Sequence, residues 1–149
     1  MTGRSTVLMM VFLFAWLAAG AGSVRCEEIA LLNRAGVGTA YVDTEDGSTI
    51  YLWSGVPVAY LEEDVIFGFN GRHLGWFEDG IVRGSRGMRV GYTLETIAVV
   101  GGTARVTRVK GVKQVKVPPI PPVPPPAKPA YIDMDSPVSL GELLGMGRL

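Results

Sequence analysis

A chain of 149 residues with one cysteine and one histidine has little from which to build a metal cage, a thiol enzyme or a catalytic triad. His73 falls just past a turn glycine, a slot read here as solvent-facing, and no Ser/His/Asp set can be assembled without it. Cys26 has no second cysteine to pair with, so an intramolecular disulfide is excluded and only a disulfide between copies is open to it. The Gly-rich stretches GVGTA and GGTAR lack a following Lys-Ser/Thr and a helix, which argues against phosphate binding. Formal net charge is zero, and the one basic stretch has no interleaved aromatics, which argues against a nucleic-acid partner. No cofactor and no metal site is expected. The acids Glu62, Glu63, Asp64, Glu78 and Asp79 are the one set with the chemistry to ligate calcium or to supply two catalytic carboxylates. Each falls where a connecting turn must be polar, and turn chemistry is the plainer reading.

The N-terminus is apolar instead. Arg4 is followed by an uncharged run from Val7 to Ala21 with a small-residue exit at Ala19-Gly20-Ala21, the pattern of a secretory signal peptide. The run is short for a membrane span, which takes about 20 residues. Export is therefore expected, to the cell envelope or beyond, with residues 1–21 a signal peptide and 22–28 a leader. Contact with a membrane is expected only through this segment if it stays uncleaved. Arg25 directly before Cys26 speaks against a lipoprotein.

Between residues 29 and 102 one sentence is written four times. IYLWSGVPVAYL (Ile50–Leu61) and IFGFNGRHLGWF (Ile66–Phe77) share an apolar run, a break ending in Gly, and a closing small–aromatic pair. ALLNRAGVGTAYV and IVRGSRGMRVGYT repeat it with one additional residue before the glycine. The glycines are Gly36, Gly55, Gly71 and Gly87; the aromatics are Tyr41, Tyr60, Trp76 and Tyr92, each preceded by Ala40, Ala59, Gly75 or Gly91. A turn glycine between β-rich runs predicts a hairpin, and connections this short force antiparallel pairing. The expected fold is all-β: four hairpins in pseudo-four-fold arrangement, an eight-strand meander. The small residues are expected to face a crowded axis, with strict alternation placing Val58 and Tyr60 on one face and Ala59 and Leu61 on the other. Thr96 to Gly102 is read as a last closing strand.

The frame WSGVPVAYLEEDVIFGFNGRHLGWFEDGIV resembles the small bacterial proteins called four-fold beta flower proteins. The most specific parts are Gly55-Val56-Pro57-Val58-Ala59-Tyr60, Phe69-Asn70-Gly71-Arg72-His73-Leu74-Gly75-Trp76 and Glu78-Asp79-Gly80. The resemblance implies the four-hairpin fold and carries over no functional residue.

After Glu95 the pattern changes. Residues 27–95 hold eleven acids and five bases, whereas residues 103–130 hold six bases and no acid, so zero net charge hides an acidic flower and a basic arm. Val106, Val109, Val112 and Val115 recur every third residue, and Val117, Ile120 and Val123 resume that period among prolines, the repeat of polyproline II. Residues 131–149 form a terminal apolar motif with a short-helix signal, in which Ser136-Pro137 opens the helix and Ser139 with Glu142 makes a capping box. The hairpin strands are apolar on both faces, so one face needs a cover. The arm, or its end bearing Tyr131, Leu140, Leu143 and Leu144, is expected to pack there, in the same chain or on a neighbour. Tyr51, Trp53, Tyr60, Phe69, Trp76 and Tyr92 are the candidate binding face.

These readings converge on an exported, non-enzymatic structural or interaction module with a protein partner or a sister copy. Two alternatives stay open: a carbohydrate or cell-wall binding module, with the basic arm on an anionic polymer, and a carboxylate-based hydrolase.

Overall fold

The structure, a computed structural model, describes residues 27–105 and 108–149. The signal-peptide reading, Cys26 and the fate of its thiol lie outside the described residues.

Eight strands follow one another as an antiparallel meander: β1 (Glu28–Leu32), β2 (Gly38–Asp43), β3 (Thr49–Leu52), β4 (Pro57–Glu62), β5 (Val65–Gly68), β6 (His73–Glu78), β7 (Ile81–Gly84) and β8 (Met88–Thr93). Pairing of β1 with β8 through Leu31↔Thr93 and Leu32↔Tyr92 closes the sheet on itself, which removes its free edges. In each hairpin the turn glycine's amide closes the turn, Gly36 on Asn33, Gly55 on Leu52, Gly71 on Gly68 and Gly87 on Gly84, all at 2.8–2.9 Å. All four glycines have φ between +77° and +88°, the left-handed region that a β-carbon disfavours.

The repeat is also one of register. Within the hairpins Tyr41, Tyr60, Trp76 and Tyr92 stand opposite Ala30, Thr49, Val65 and Ile81. Across to the next hairpin they meet Tyr51, Phe67, Arg83 and, through the closure, Leu32. The acidic breaks are the turns between hairpins, where Glu63 and Asp79 take positive φ.

Alternation fails at one place in every hairpin. Ile50 pairs with Ala59 but Tyr51 pairs with Pro57, leaving Val58 as an extra residue; Thr39, Leu74 and Val90 are its counterparts. A bulge of this kind bends the strand and re-aims a side chain. Val58 and Ala59 therefore lie in the same buried cluster, with Leu74 and Val90 alongside. Strict alternation had put them on opposite faces.

Two helices complete the fold. Thr96–Gly102 is not a strand: α1 (Leu94–Val99) begins at Thr93, whose side chain accepts from the Thr96 amide. The cap turns the chain away directly after Thr93 makes the closure pair, and Ile97 then packs on Leu32 and Tyr92. Helix α2 (Leu140–Gly145) starts at Ser139, with Glu142 completing a reciprocal capping box. The start is thus three residues later than Ser136-Pro137. Ser136 lies outside the helix because its amide is bound to the Arg89 carbonyl at 2.7 Å. Leu140, Leu143 and Leu144 are buried in the same cluster as Ala40, Val58, Leu74 and Val90, so α2 supplies part of the flower's own core.

Ala40, Ala59, Gly75 and Gly91 do face the interior. Their crowding has a different source from the meeting of four petals on a line. A β-carbon on Gly75 would strike the Arg83 carbonyl of the next strand, and one on Gly91 would come within 2.8 Å of Leu140.

Candidate functional site

Residues 103–105 and 108–135 run around the flower from turn to turn. The amides of Arg105, Gln114, Val123 and Ile132 donate to the carbonyls of Gly36, Gly55, Gly71 and Gly87, at 2.7, 2.9, 2.9 and 3.2 Å. The arm thus advances nine residues per turn, although the glycines themselves are spaced 19, 16 and 16 residues apart. The other side of the contact keeps the same step. A β-carbon on Gly36, Gly55, Gly71 or Gly87 would run into the carbonyl of Thr103, Val112, Pro121 or Ala130. Each turn glycine therefore answers two demands, a positive φ and the close approach of a second backbone.

Nine is three times three, and the finer step is visible as well. Gly111 donates to the Trp53 carbonyl and Ile120 to the Phe69 carbonyl, both at 2.8 Å, so the bonded amides fall at multiples of three along the arm. Pro129, the next in that series, has no amide to give.

The lysines hold the position directly before that of the bonded amides and turn inward. Lys110 pairs with Glu28 above the Tyr41 ring, and Lys113 pairs with Asp43 and Glu28. Lys116 reaches Asp46 at 2.6 Å, and Lys128 joins Asp64 at 2.6 Å to Glu78. Tyr131, eighteen residues after Lys113, donates its hydroxyl to Glu78, the petal counterpart of Asp43. These contacts set the electrostatics. The Lys113 ammonium holds the Asp43 carboxyl below its ordinary range, Lys116 and then Tyr51 do so for Asp46, and Lys128 for Asp64.

Outward stand Val109, Val112 and Val115, at 96%, 89% and 93% exposure. Val117, Ile120 and Val123 do not continue that row. They fall two residues out of step with Val115, in the phase whose amides bind the flower, because Ile120 and Val123 hold two of the few amides left among the prolines.

The predicted aromatic face is mostly covered. Tyr51, Phe69, Trp76 and Tyr92 are buried, and Trp53 and Tyr60 are half-buried. Tyr51 stacks on Tyr41 and donates to Asp46 at 2.5 Å. Trp53 donates its indole N–H to the arm carbonyl of Arg108 at 3.1 Å. Tyr92 donates to Asp135 after β8, and burial together with that carboxylate pushes its phenol up to about 12. Tyr60 packs on Phe67 and Phe69. His73 is not an exposed bystander: its ring lies 4.3 Å from Trp76 and beside Phe67, and burial pushes its imidazole down.

Three residues that were not singled out from sequence hold the last part of the arm. Buried Arg83 donates to the carbonyls of Gly87 and Ile132 and lies 4.3 Å from the Tyr131 ring. Arg89 donates to the Asp133 carbonyl and pairs with Asp135 as β9 (Ile132–Asp135) runs parallel to β8. Asn70 donates its amide side chain to the carbonyls of Met146 and Arg148, clipping the C-terminus to the third turn. A single petal-slot signal was available for Arg83: it occupies the position of Tyr51 and Phe67.

Among the described residues no group of three or more His, Cys, Asp or Glu side chains is placed to hold a metal ion, and no helix is long and apolar enough to cross a membrane. A family model described as 4-fold beta flower protein matches residues 29–144, from the first strand into α2. No match was found among curated proteins or among solved structures.

Proposed function

The chain belongs to the 4-fold beta flower family, and from that premise we propose that it is a non-enzymatic interaction module whose flower grips its own arm and displays the arm's outer edge to a protein partner. The observation that carries this reading is the nine-residue step of Arg105, Gln114, Val123 and Ile132 on the four turn glycines. A spacer would not keep register with four turns. The lysines that would keep such a segment soluble are spent inward on flower carboxylates, while Val109, Val112 and Val115 are left bare. The same pairing weighs against the hydrolase reading, since Asp64 and Glu78 share a lysine rather than a water-filled cleft. Burial of Trp76 and Tyr51 weighs against sugar stacking on that face. Export through the N-terminal segment belongs to this proposal, with the partner in the cell envelope or outside the cell.

The test is site-specific photo-crosslinking in the native cell, with the reactive residue at Val112 on the displayed edge or at Glu63 on an inter-hairpin turn. Saturable adducts at Val112 and none at Glu63 are expected. Equal labelling at both, or none at Val112, would overturn the reading.

A further inference from the structure

Residues 117–125 read Val-Pro-Pro, Ile-Pro-Pro, Val-Pro-Pro: one three-residue unit, three times over. From Pro118 to Pro126 only Ile120 and Val123 carry an amide hydrogen, and both are spent on the flower, at the Phe69 and Gly71 carbonyls. The third residue of each unit, Pro119, Pro122 or Pro125, shares the phase of the inward lysines. The middle proline, Pro118, Pro121 or Pro124, shares the phase of the outward Val109, Val112 and Val115, and the aliphatic residue stands beside it, with Ile120 Cγ2 3.5 Å from where a β-carbon on Gly71 would be. Val117, Ile120 and Val123 are 60%, 48% and 61% exposed, and all of Pro118–Pro126 is open to solvent.

The chemistry of this edge selects its partner. From Pro118 on it offers pyrrolidine rings, aliphatic side chains and carbonyl oxygens, with no free hydrogen-bond donor. A second copy of the same edge could not bond to it, since acceptors would face acceptors. A partner has to bring flat apolar surface and donors together, as a groove lined with Trp and Tyr does for proline-rich segments. The flower already makes this contact from the inside, where the Trp53 indole N–H donates to the Arg108 carbonyl at 3.1 Å. Charge has little part in it. The flanking Lys116 and Lys128 are engaged by Asp46, Asp64 and Glu78. Finally, the segment is fixed to the flower at two amides, so its ordering entropy is already lost before a partner arrives.

We infer that Val117–Pro125 is a pre-ordered polyproline ligand for a protein module with an aromatic-lined, donor-bearing groove. This rests on the reading of the arm as a displayed edge and names the partner for one part of it.

The probe is an isolated WW domain that binds uncharged polyproline, titrated by its tryptophan fluorescence with the full-length chain and with a free peptide of residues 115–127. The expected result is binding at least about fivefold tighter for the full chain than for the peptide, the advantage of pre-ordering. The triple variant Pro118→Ala, Pro121→Ala, Pro124→Ala should lose at least tenfold while keeping its β-sheet circular dichroism. Should that variant unfold, Val117→Ser with Val123→Ser asks the same question while leaving every proline in place. Absence of binding by the full chain, affinity no better than the peptide's, or indifference to the outer-edge variants would each overturn the inference. Crosslinking at Val112 lies outside this segment, so it would still report on the broader reading if the WW titration failed.

Discussion

The amide of Gln114 donates to the carbonyl of Gly55 at 2.9 Å, and the carbonyl of Val112 closes over the same glycine from the other side. This two-residue clasp is made again at each of the other three turns. It converts a low-complexity tail into an ordered girdle and explains why a domain without a disulfide can keep so much aromatic surface.

Gly55→Ala should therefore cost more than an ordinary turn substitution. Forcing Ala to a φ of +88° costs about 1–2 kcal/mol, and displacing Val112 adds to it. Thermal denaturation should show a midpoint several degrees lower, with the Trp53 environment altered. A midpoint unchanged within a degree would mean that the arm does not approach this glycine.

Two neighbouring prolines separate bonded from unbonded amides. Gln114→Pro removes the donor to Gly55, a net loss of about 0.5–1.5 kcal/mol. Val115→Pro removes an amide that has no backbone acceptor and should be neutral within about 0.5 kcal/mol. Chemical denaturation of both variants decides; equal effects would break the three-residue register.

Leu144 has no exposed surface and lies among the flower's buried residues. Leu144→Ala should cost about 2–5 kcal/mol, as core leucines do, although it stands five residues before Leu149. A loss below about 1 kcal/mol, read from denaturant melts, would show that α2 is an appendage.

These two elements also show what the sequence could and could not reveal. Four hairpins were legible because each turn glycine and each small–aromatic pair is a local requirement, repeated. The capping box at Ser139 and Glu142 was legible for the same reason. The bulge at Val58 was not, because a bulge is set by register with Ile50 and Tyr51, which no single strand encodes. The role of Arg83 was hidden likewise, since its acceptors Gly87 and Ile132 are brought together only by the girdle. The three-residue period of the arm was visible, but which edge faced inward depended on carboxylates far away in the chain.

Stability should fall at both ends of the pH scale. Lys113, Lys116 and Lys128 hold Asp43, Asp46 and Asp64 below their ordinary range in the folded state. A depressed carboxyl contributes stability that is complete above its unfolded value, about 3.9, and lost as pH falls through the folded one. Tyr92 has the opposite sign: raised to about 12, it contributes fully below about pH 10 and loses that contribution as pH rises toward 12. Denaturant midpoints should be level between about pH 7 and 9, ease below about 6.5, where the unfolded chain takes up a proton that the depressed His73 imidazole resists, and fall further below about 4 and above about 10. Asp43→Asn should flatten the acid limb, and an acid limb unchanged by that substitution would contradict the pairing with Lys113.

The girdle itself is tested most directly by residue-resolved amide hydrogen exchange along the arm. The account predicts a comb, with Gly111, Gln114, Ile120 and Val123 protected and Val109, Val112 and Val115 exchanging near the free-chain rate. Uniformly fast exchange from residue 108 to residue 128 would show an arm that is not held by the turn glycines, and would contradict it.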